Sequence, residues 1–226
     1  MKDKNQKRKR ARLFNLKLFP MDFARILCSF APLFFGIKKI YASDKAKKKL
    51  RGGMILSANH TCIKDPLLLC ACFWYRRMFY LTAEAVMDRK KIRGLLLKGL
   101  GCIKINRDIY DIESIRVAAD VVKKGHVLAL FPQGGIQAKD DIESIKSGII
   151  LLAMQSRVPI VPCYIHNKAE KKDRNCIVIG EPIDLFEKSS FPALKDINNY
   201  AQIVMEKMAE CKTIYEELRR ESNGNS

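Results

Sequence analysis

An α/β fold is predicted, with a mostly parallel or mixed central sheet flanked by helices and a helical pair at the N-terminus. Three features carry this reading. From Gly52 onward, short apolar runs of strand length alternate with longer runs at helical spacing, the pattern of layered α/β domains. The composition is globular, 48% hydrophobic and 29% charged. A length of 226 residues suits one domain with a full core, or one domain plus a small accessory piece.

The N-terminus comes first. Its first twelve residues carry seven Lys or Arg and one acid, Asp3, and read as a solvated basic tail. An apolar stretch follows from Leu13 to Ile40, broken by Lys17, Pro20, Asp22, Arg25, Pro32 and Lys38. Its uncharged part, Ile26 to Ile37, has twelve residues, against about 20 for a bilayer-spanning helix. A secretory signal also fits poorly, because the charged lead is long and Lys38 and Lys39 interrupt the exit. A bent amphipathic helical pair lying in a membrane interface fits better. Phe14, Leu16, Leu18, Phe19, Phe23, Ile26, Leu27, Phe30, Leu33, Phe34 and Phe35 would enter the acyl region, with the cations among anionic headgroups. The alternative is a core helix behind a basic tail. A lysine-rich linker, Ala42–Arg51, marks the one natural boundary, dividing residues 1–51 from 52–226.

The body then reads as follows. Met54–Ala58 is a short buried strand, followed by a loop and a helix from Pro66 to about Arg76. Met78–Leu81 is strand-like, Glu84–Leu100 helical, and Cys102–Ile105 a strand. Ile112–Lys124 is a helix stopped by Gly125, and Val127–Phe131 is a strand. Ile145–Ser156 is a helix, Ile160–Ile165 and Cys176–Ile179 are strands, and Asp196–Arg220 is a long helix before a disordered end. No internal repeat is present.

The net charge of +18 requires anionic partners: nucleic acid, an anionic membrane, or phosphorylated substrates. Nucleic acid is disfavoured, since the cations cluster about an apolar N-terminus without an aromatic-studded basic motif. The eight cysteines form no CxxC pair, and several lie in apolar runs, so they read as reduced, buried thiols of a cytosol-facing protein.

The sharpest local feature is Asn59-His60-Thr61-Cys62-Ile63-Lys64-Asp65-Pro66, placed where a strand ends and a helix begins. Sites of α/β sheets gather at such strand ends. A regular helix would set His60 and Asp65 about 140° apart, and a strand would turn them to opposite faces. They meet only if the intervening chain turns. If they meet, Asp65 accepts from one imidazole nitrogen and fixes the tautomer, leaving the other nitrogen to take a proton from a hydroxyl. Asp65 before Pro66 is also an ordinary helix start, with Asp as N-cap and Pro in the first turn. Cys62 beside His60 suggests a Cys–His nucleophile pair, but no orienting partner supports it.

Four segments, in order, resemble blocks of the glycerolipid acyltransferase family, which includes 1-acylglycerol-3-phosphate acyltransferases. They are His60-x4-Asp65 flanked by Asn59 and Pro66; Gly101-Cys102-Ile103-Lys104-Ile105-Asn106-Arg107; Phe131-Pro132-Gln133-Gly134; and Val158-Pro159-Ile160-Val161-Pro162. Lys146-x-Gly148 and Ile179-Gly180-Glu181-Pro182-Ile183 are lesser echoes, and together the segments span roughly residues 53–183. The resemblance implies that His60 is the general base and Asp65 its orienting carboxylate. It implies that Asn59, Arg107, Phe131, Pro132, Gln133, Gly134, Gly135 and Lys146 bind substrate, with Arg107 forking onto the acceptor's phosphate and Gly134 admitting the acceptor close to backbone. Pro159 and Pro162 would shape a strand near the acyl-binding side. One departure stands out: the family's third block usually has Glu at the position of Gln133, and Thr-Arg where this chain has Gly135-Ile136. Lys139 and Lys146 are candidates to replace the missing positive charge.

The implied activity is transfer of a fatty acyl group from acyl carrier protein or a CoA thioester to a lysophospholipid hydroxyl at the cytoplasmic face of the cell membrane. The protein would be monotopic or peripheral, and no cofactor or metal is expected. Residues 52–226 would form the acyltransferase domain. Two alternatives follow from Gln133: the same chemistry on glycerol 3-phosphate or an amino-acid lysolipid, or a non-catalytic lipid-binding relative.

Overall fold

The computed structural model describes residues 19–47, 50–88, 90–106, 111–136, 147–167, 174–185 and 194–224. In chain order these form α1 (Phe19–Phe35), β1 (Lys38–Tyr41), α2 (Asp44–Lys47), β2 (Met54–Ala58), α3 (Asp65–Cys72), β3 (Met78–Ala83), α4 (Glu84–Met87) and α5 (Lys91–Gly99). There follow β4 (Cys102–Ile105), α6 (Ile112–Lys123), β5 (Val127–Leu130), α7 (Ser147–Ser156), β6 (Ile160–His166), β7 (Cys176–Ile179) and α8 (Leu194–Gly224). The seven strands make one sheet in the order β1-β7-β6-β2-β5-β3-β4. Every neighbouring pair is parallel except β6 with β7.

Alternation along the central strands builds two cores. Ile55, Leu128 and Leu130 join one with α6, α7 and α8. Met54, Leu56, Ala58, Val127 and Ala129 join the other, beneath α3. Because helices cover both faces, all five residues of β2 are buried, and the strand reads as a continuous apolar run rather than an alternating one.

Several elements depart from the sequence reading. The single helix expected over Glu84–Leu100 is two, α4 and α5. Lys104 ties Glu84 and Asp88, at the two ends of α4, to β4 at 2.5 and 2.7 Å. α5 then folds back so closely that a Cβ on Gly94 would lie 2.6 Å from the Met87 carbonyl. The helix from Pro66 ends at Cys72 rather than near Arg76, whose guanidinium instead donates to the Leu50, Gly52 and Gly125 carbonyls. α8 runs to Gly224, through residues expected to be disordered.

At the N-terminus α1 is a single continuous helix, and any upstream partner of the expected pair lies outside the described residues. No helix among the described residues is long and apolar enough to cross a membrane. α1 is held down by charge: Asp22 accepts two bonds from Arg77, at 2.8 and 2.9 Å, and pairs with Arg25 at 3.2 Å, all three being buried. Burial lowers the Arg25 pKa against the opposing pull of Asp22. Gly36, at φ +57°, ends α1 in the left-handed conformation that suits glycine, and the chain enters β1.

β1 was missed by pattern. Lys38 and Lys39 read as the exit of the N-terminal apolar stretch, yet this segment, before the expected division at residue 51, pairs with β7 beyond it. Lys39 is sheltered: its Nζ donates to the Cys72 carbonyl at 2.7 Å and lies over the rings of Tyr41, Phe73 and Tyr75. The eight cysteines are free thiols, and burial pushes Cys72 and Cys211 up to about 12.

Candidate active site

The parallel register brings three strand ends to one edge of the sheet. Ser57 of β2 pairs with Leu130 of β5, and Ala58 pairs with Cys163 of β6. The residues just beyond (Asn59-His60, Phe131 to Gly134, and Asn167) therefore converge. Parity decides which face they use. Met54, Leu56 and Ala58 point toward α3, as do Val127 and Ala129, so His60 and Phe131 continue onto the same face. Their rings stack with centroids 4.1 Å apart and planes 19° apart.

The chain between His60 and Asp65 turns, closed by Asp65 N donating to the Cys62 carbonyl at 3.1 Å. That turn brings His60 Nδ1 to 2.8 Å from Asp65 Oδ2. The same oxygen accepts from the backbone N–H of Thr61 at 2.8 Å and of Cys62 at 2.9 Å. An oxygen already accepting two N–H bonds is an acceptor toward the ring as well. Nδ1 therefore carries the proton, and Nε2 presents its lone pair. Nε2 makes no hydrogen bond to a described residue, and the His60 side chain is 15% exposed while Asp65 is fully buried. The arrangement can accept one proton at Nε2 while the carboxylate holds the ring from behind.

Asp65 is not the N-cap of α3. Lys64 holds that position without a side-chain cap bond, and Pro66 lies in the first turn. The carboxylate serves the preceding turn instead. Asn167 completes the arrangement: its Nδ2 donates to Asp65 Oδ1 at 2.6 Å and to Thr61 Oγ1 at 3.1 Å. Sequence reading did not single out Asn167. The available signal was its place directly after a buried strand parallel to β2, which the sequence alone does not pair with β2.

The other candidates divide. Asn59 is fully buried, with Nδ2 donating to the Ile165 carbonyl at 2.9 Å and Oδ1 accepting from Ile165 N at 2.7 Å. It fastens β2 to β6 beside His60, a buried structural place. Phe131, buried Pro132, Gln133 and Gly134 form a turn closed by Gly134 N donating to the Phe131 carbonyl at 3.0 Å. Proline in second position suits such a turn, and Gly134 follows at φ +78°. Gln133 Oε1 accepts from His60 N at 3.4 Å, a bond that either an amide or a carboxylate oxygen can make. Gly135 is half-buried, and a Cβ there would meet nothing within 4 Å. Arg107, Lys139 and Lys146 lie outside the described residues. For the Cys62–His60 pair, Nδ1 is engaged by Asp65, and among the described residues no thiol bonds either ring nitrogen. No three His, Cys, Asp or Glu side chains among the described residues come together as a metal-ligand cluster.

Comparison with known proteins identifies relatives over most of the chain. The chain is 20% identical over 185 residues to the 1-acyl-sn-glycerol-3-phosphate acyltransferase of Bacillus subtilis (strain 168), covering 80% of this chain and 90% of that one. It is 28% identical over 144 residues to a probable enzyme of the same name from Mycoplasma genitalium, covering 62% of this chain and 53% of the other. The crystal structure of the 1-acyl-sn-glycerophosphate acyltransferase from Thermotoga maritima shares the fold, with a TM-score of 0.61 at 17% identity over 87% of this chain and 81% of that one. The family profile described as Acyltransferase matches residues 39–166, from within β1 to the last residue of β6, and the chain belongs to that acyltransferase family.

Proposed function

We propose that this acyltransferase moves a fatty acyl group from a thioester to the free hydroxyl of 1-acylglycerol 3-phosphate, giving phosphatidic acid, with His60 as general base. The observation that carries the mechanism is the 2.8 Å contact between His60 Nδ1 and Asp65 Oδ2, reinforced by the Thr61 and Cys62 amides. The names of the relatives support the acceptor. In this reading Nε2 takes the hydroxyl proton as the acceptor oxygen attacks the thioester carbonyl. The C–S bond then breaks, and the proton returns to the departing thiolate. No covalent enzyme intermediate is required. The donor is an acyl carrier protein or CoA thioester.

The reaction belongs at the cytoplasmic face of an anionic membrane. α1 exposes Phe19, Phe23, Ile26, Leu27 and Phe30 along one stripe, and α5 exposes Ile92, Leu95 and Leu96. The two helices abut, since a Cβ on Gly99 would lie 3.5 Å from Pro20 Cβ. Contiguous apolar surface on a chain of net charge +18 suits docking among acidic headgroups.

The test is thiol release with lysophosphatidic acid and each donor. His60→Ala should abolish turnover and leave vesicle binding intact; wild-type rates in that variant would eliminate the proposed base. Gln133 motivates a second acceptor reading, which a panel including glycerol 3-phosphate decides. Thiol release no faster than the uncatalysed rate with every acceptor would favour a non-catalytic relative.

A further inference from the structure

A concavity lies on the other side of β6 from His60. Val161, Cys163 and Ile165 of β6 point toward α3, whereas Tyr164 packs with α8. Tyr164 and His166 therefore face α8, and with it they line a cavity of about 400 Å³. The α8 residues in its wall, Lys212, Tyr215, Glu216, Arg219 and Arg220, recur at the spacing of a single helix face. The ring of His166 stacks on that of Tyr215, with centroids 4.4 Å apart and planes 22° apart. Tyr164 braces Tyr215 from the sheet at 5.7 Å.

The described lining is rich in cations. Among the described residues it holds three cations, Lys212, Arg219 and Arg220, against the one carboxylate of Glu216. Arg219 and Arg220 form no ion pair with any described residue, though Glu216 shares their helix face. A phosphate monoester carries about −1.5 to −2 at neutral pH, which suits such a lining. Guanidinium forks suit its oxygens. The volume corresponds to on the order of a dozen waters at about 30 Å³ each, which leaves room for more than the phosphate. It falls within the range of about 300–1,000 Å³ typical of small-molecule sites. The stacked aromatic pair supplies a flat wall for a planar ring.

We infer that this cavity binds a nucleotide, its phosphate on Arg219 and Arg220 and its base against the His166–Tyr215 stack. The site is one residue along the chain from the His60 arrangement, because His166 lines it and Asn167 bonds Asp65. Two sources share the chemistry: a free nucleotide, or the nucleotide end of a CoA thioester. The second source rests on the acyl-transfer reading above.

Calorimetric titration of the full chain tests this without turnover. AMP, coenzyme A and inorganic phosphate are the probes, on wild type and on the double variant Arg219→Gln/Arg220→Gln. AMP should bind one per chain, more tightly than inorganic phosphate. The double variant should weaken it at least tenfold with an unchanged melting temperature, since both arginines are exposed. Coenzyme A binding at least as tightly as AMP, and weakened alike, assigns the site to the donor; tighter AMP assigns it to a free nucleotide. Absence of AMP binding, equal affinity for AMP and phosphate, or unchanged binding in the double variant overturns the inference. A chain that binds AMP but releases no thiol would sink the acyl-transfer reading and leave this one standing.

Discussion

Replacing Asn167 by alanine removes the bonds from Nδ2 to Asp65 Oδ1 at 2.6 Å and to Thr61 Oγ1 at 3.1 Å. Asp65 keeps its three contacts on Oδ2 but loses its contact on Oδ1, and with it part of the restraint on the carboxylate plane. A hydrogen bond to a charged group contributes about 1.5–3 kcal/mol. If most of that holds the imidazole in its productive orientation, kcat falls about 10- to 100-fold, at roughly 1.4 kcal/mol per decade. Asn167 is placed to orient Asp65 rather than to touch substrate, so KM for donor and acceptor should stay within about twofold of wild type, the pattern of an interaction made only in the transition state. The assay is steady-state thiol release with lysophosphatidic acid, paired with thermal melting. An unsatisfied buried oxygen costs about 1–3 kcal/mol, and each kcal/mol shifts the melting temperature by about 2–4 °C at this size. Asn167→Asp should be worse, because it sets a second carboxylate against Asp65. Unchanged kcat in a folded Asn167→Ala variant would refute the role.

Three further outcomes follow. Burial, helped by the charges of Arg77 and Arg76, pushes His126 down from 6.5 to about 4, so the unfolded chain binds the extra proton between those values. Its contribution is full above about pH 6.5 and lost as pH falls toward 4, and His126→Leu should flatten that part of a stability-against-pH curve. Gly134→Ala forces a side chain into the left-handed region at φ +78°, costing about 1–2 kcal/mol, and should slow turnover by shifting the turn that meets His60. Phe23→Glu/Leu27→Glu should weaken binding to anionic vesicles at least tenfold, since each buried Phe or Leu contributes about 1.5–3 kcal/mol; flotation measures it, and the melting temperature should not move because both residues are exposed.

What was legible in the sequence was mostly local. The apolar runs of β2, β5, β6 and β7 announced themselves because helices on both faces demand continuous hydrophobicity. The His60–Asp65 pair was legible as a motif, and its turn follows from hydrogen bonds within six residues. What failed depended on distant partners. β1 needs β7, more than 130 residues away, and the aromatic shelter over Lys39 before Lys-Lys-Ile-Tyr becomes a strand. The break between α4 and α5 comes with tertiary contacts: Lys104 reaches back from β4 to Glu84 and Asp88, and Gly94 lies against the Met87 carbonyl. Asn167 became visible only once β6 was laid beside β2.

The N-terminal segment behaves as a strap. The start of α1 lies against the β4 border, where a Cβ on Gly101 would touch Met21, while β1 zips onto β7 at the opposite border. Its 17 residues reach about 25 Å at 1.5 Å each, close to the roughly 29 Å width of seven strands at about 4.8 Å spacing. Trimming the chain at residue 51 would therefore not liberate a tidy catalytic unit. It would strip β7 of its outer neighbour, leave an unsatisfied strand edge open to self-association, and strand Arg77 without its carboxylate. Whatever touches the apolar outer side of that strap bears on both margins of the sheet at once, because α1 starts at the β4 border and runs into β1.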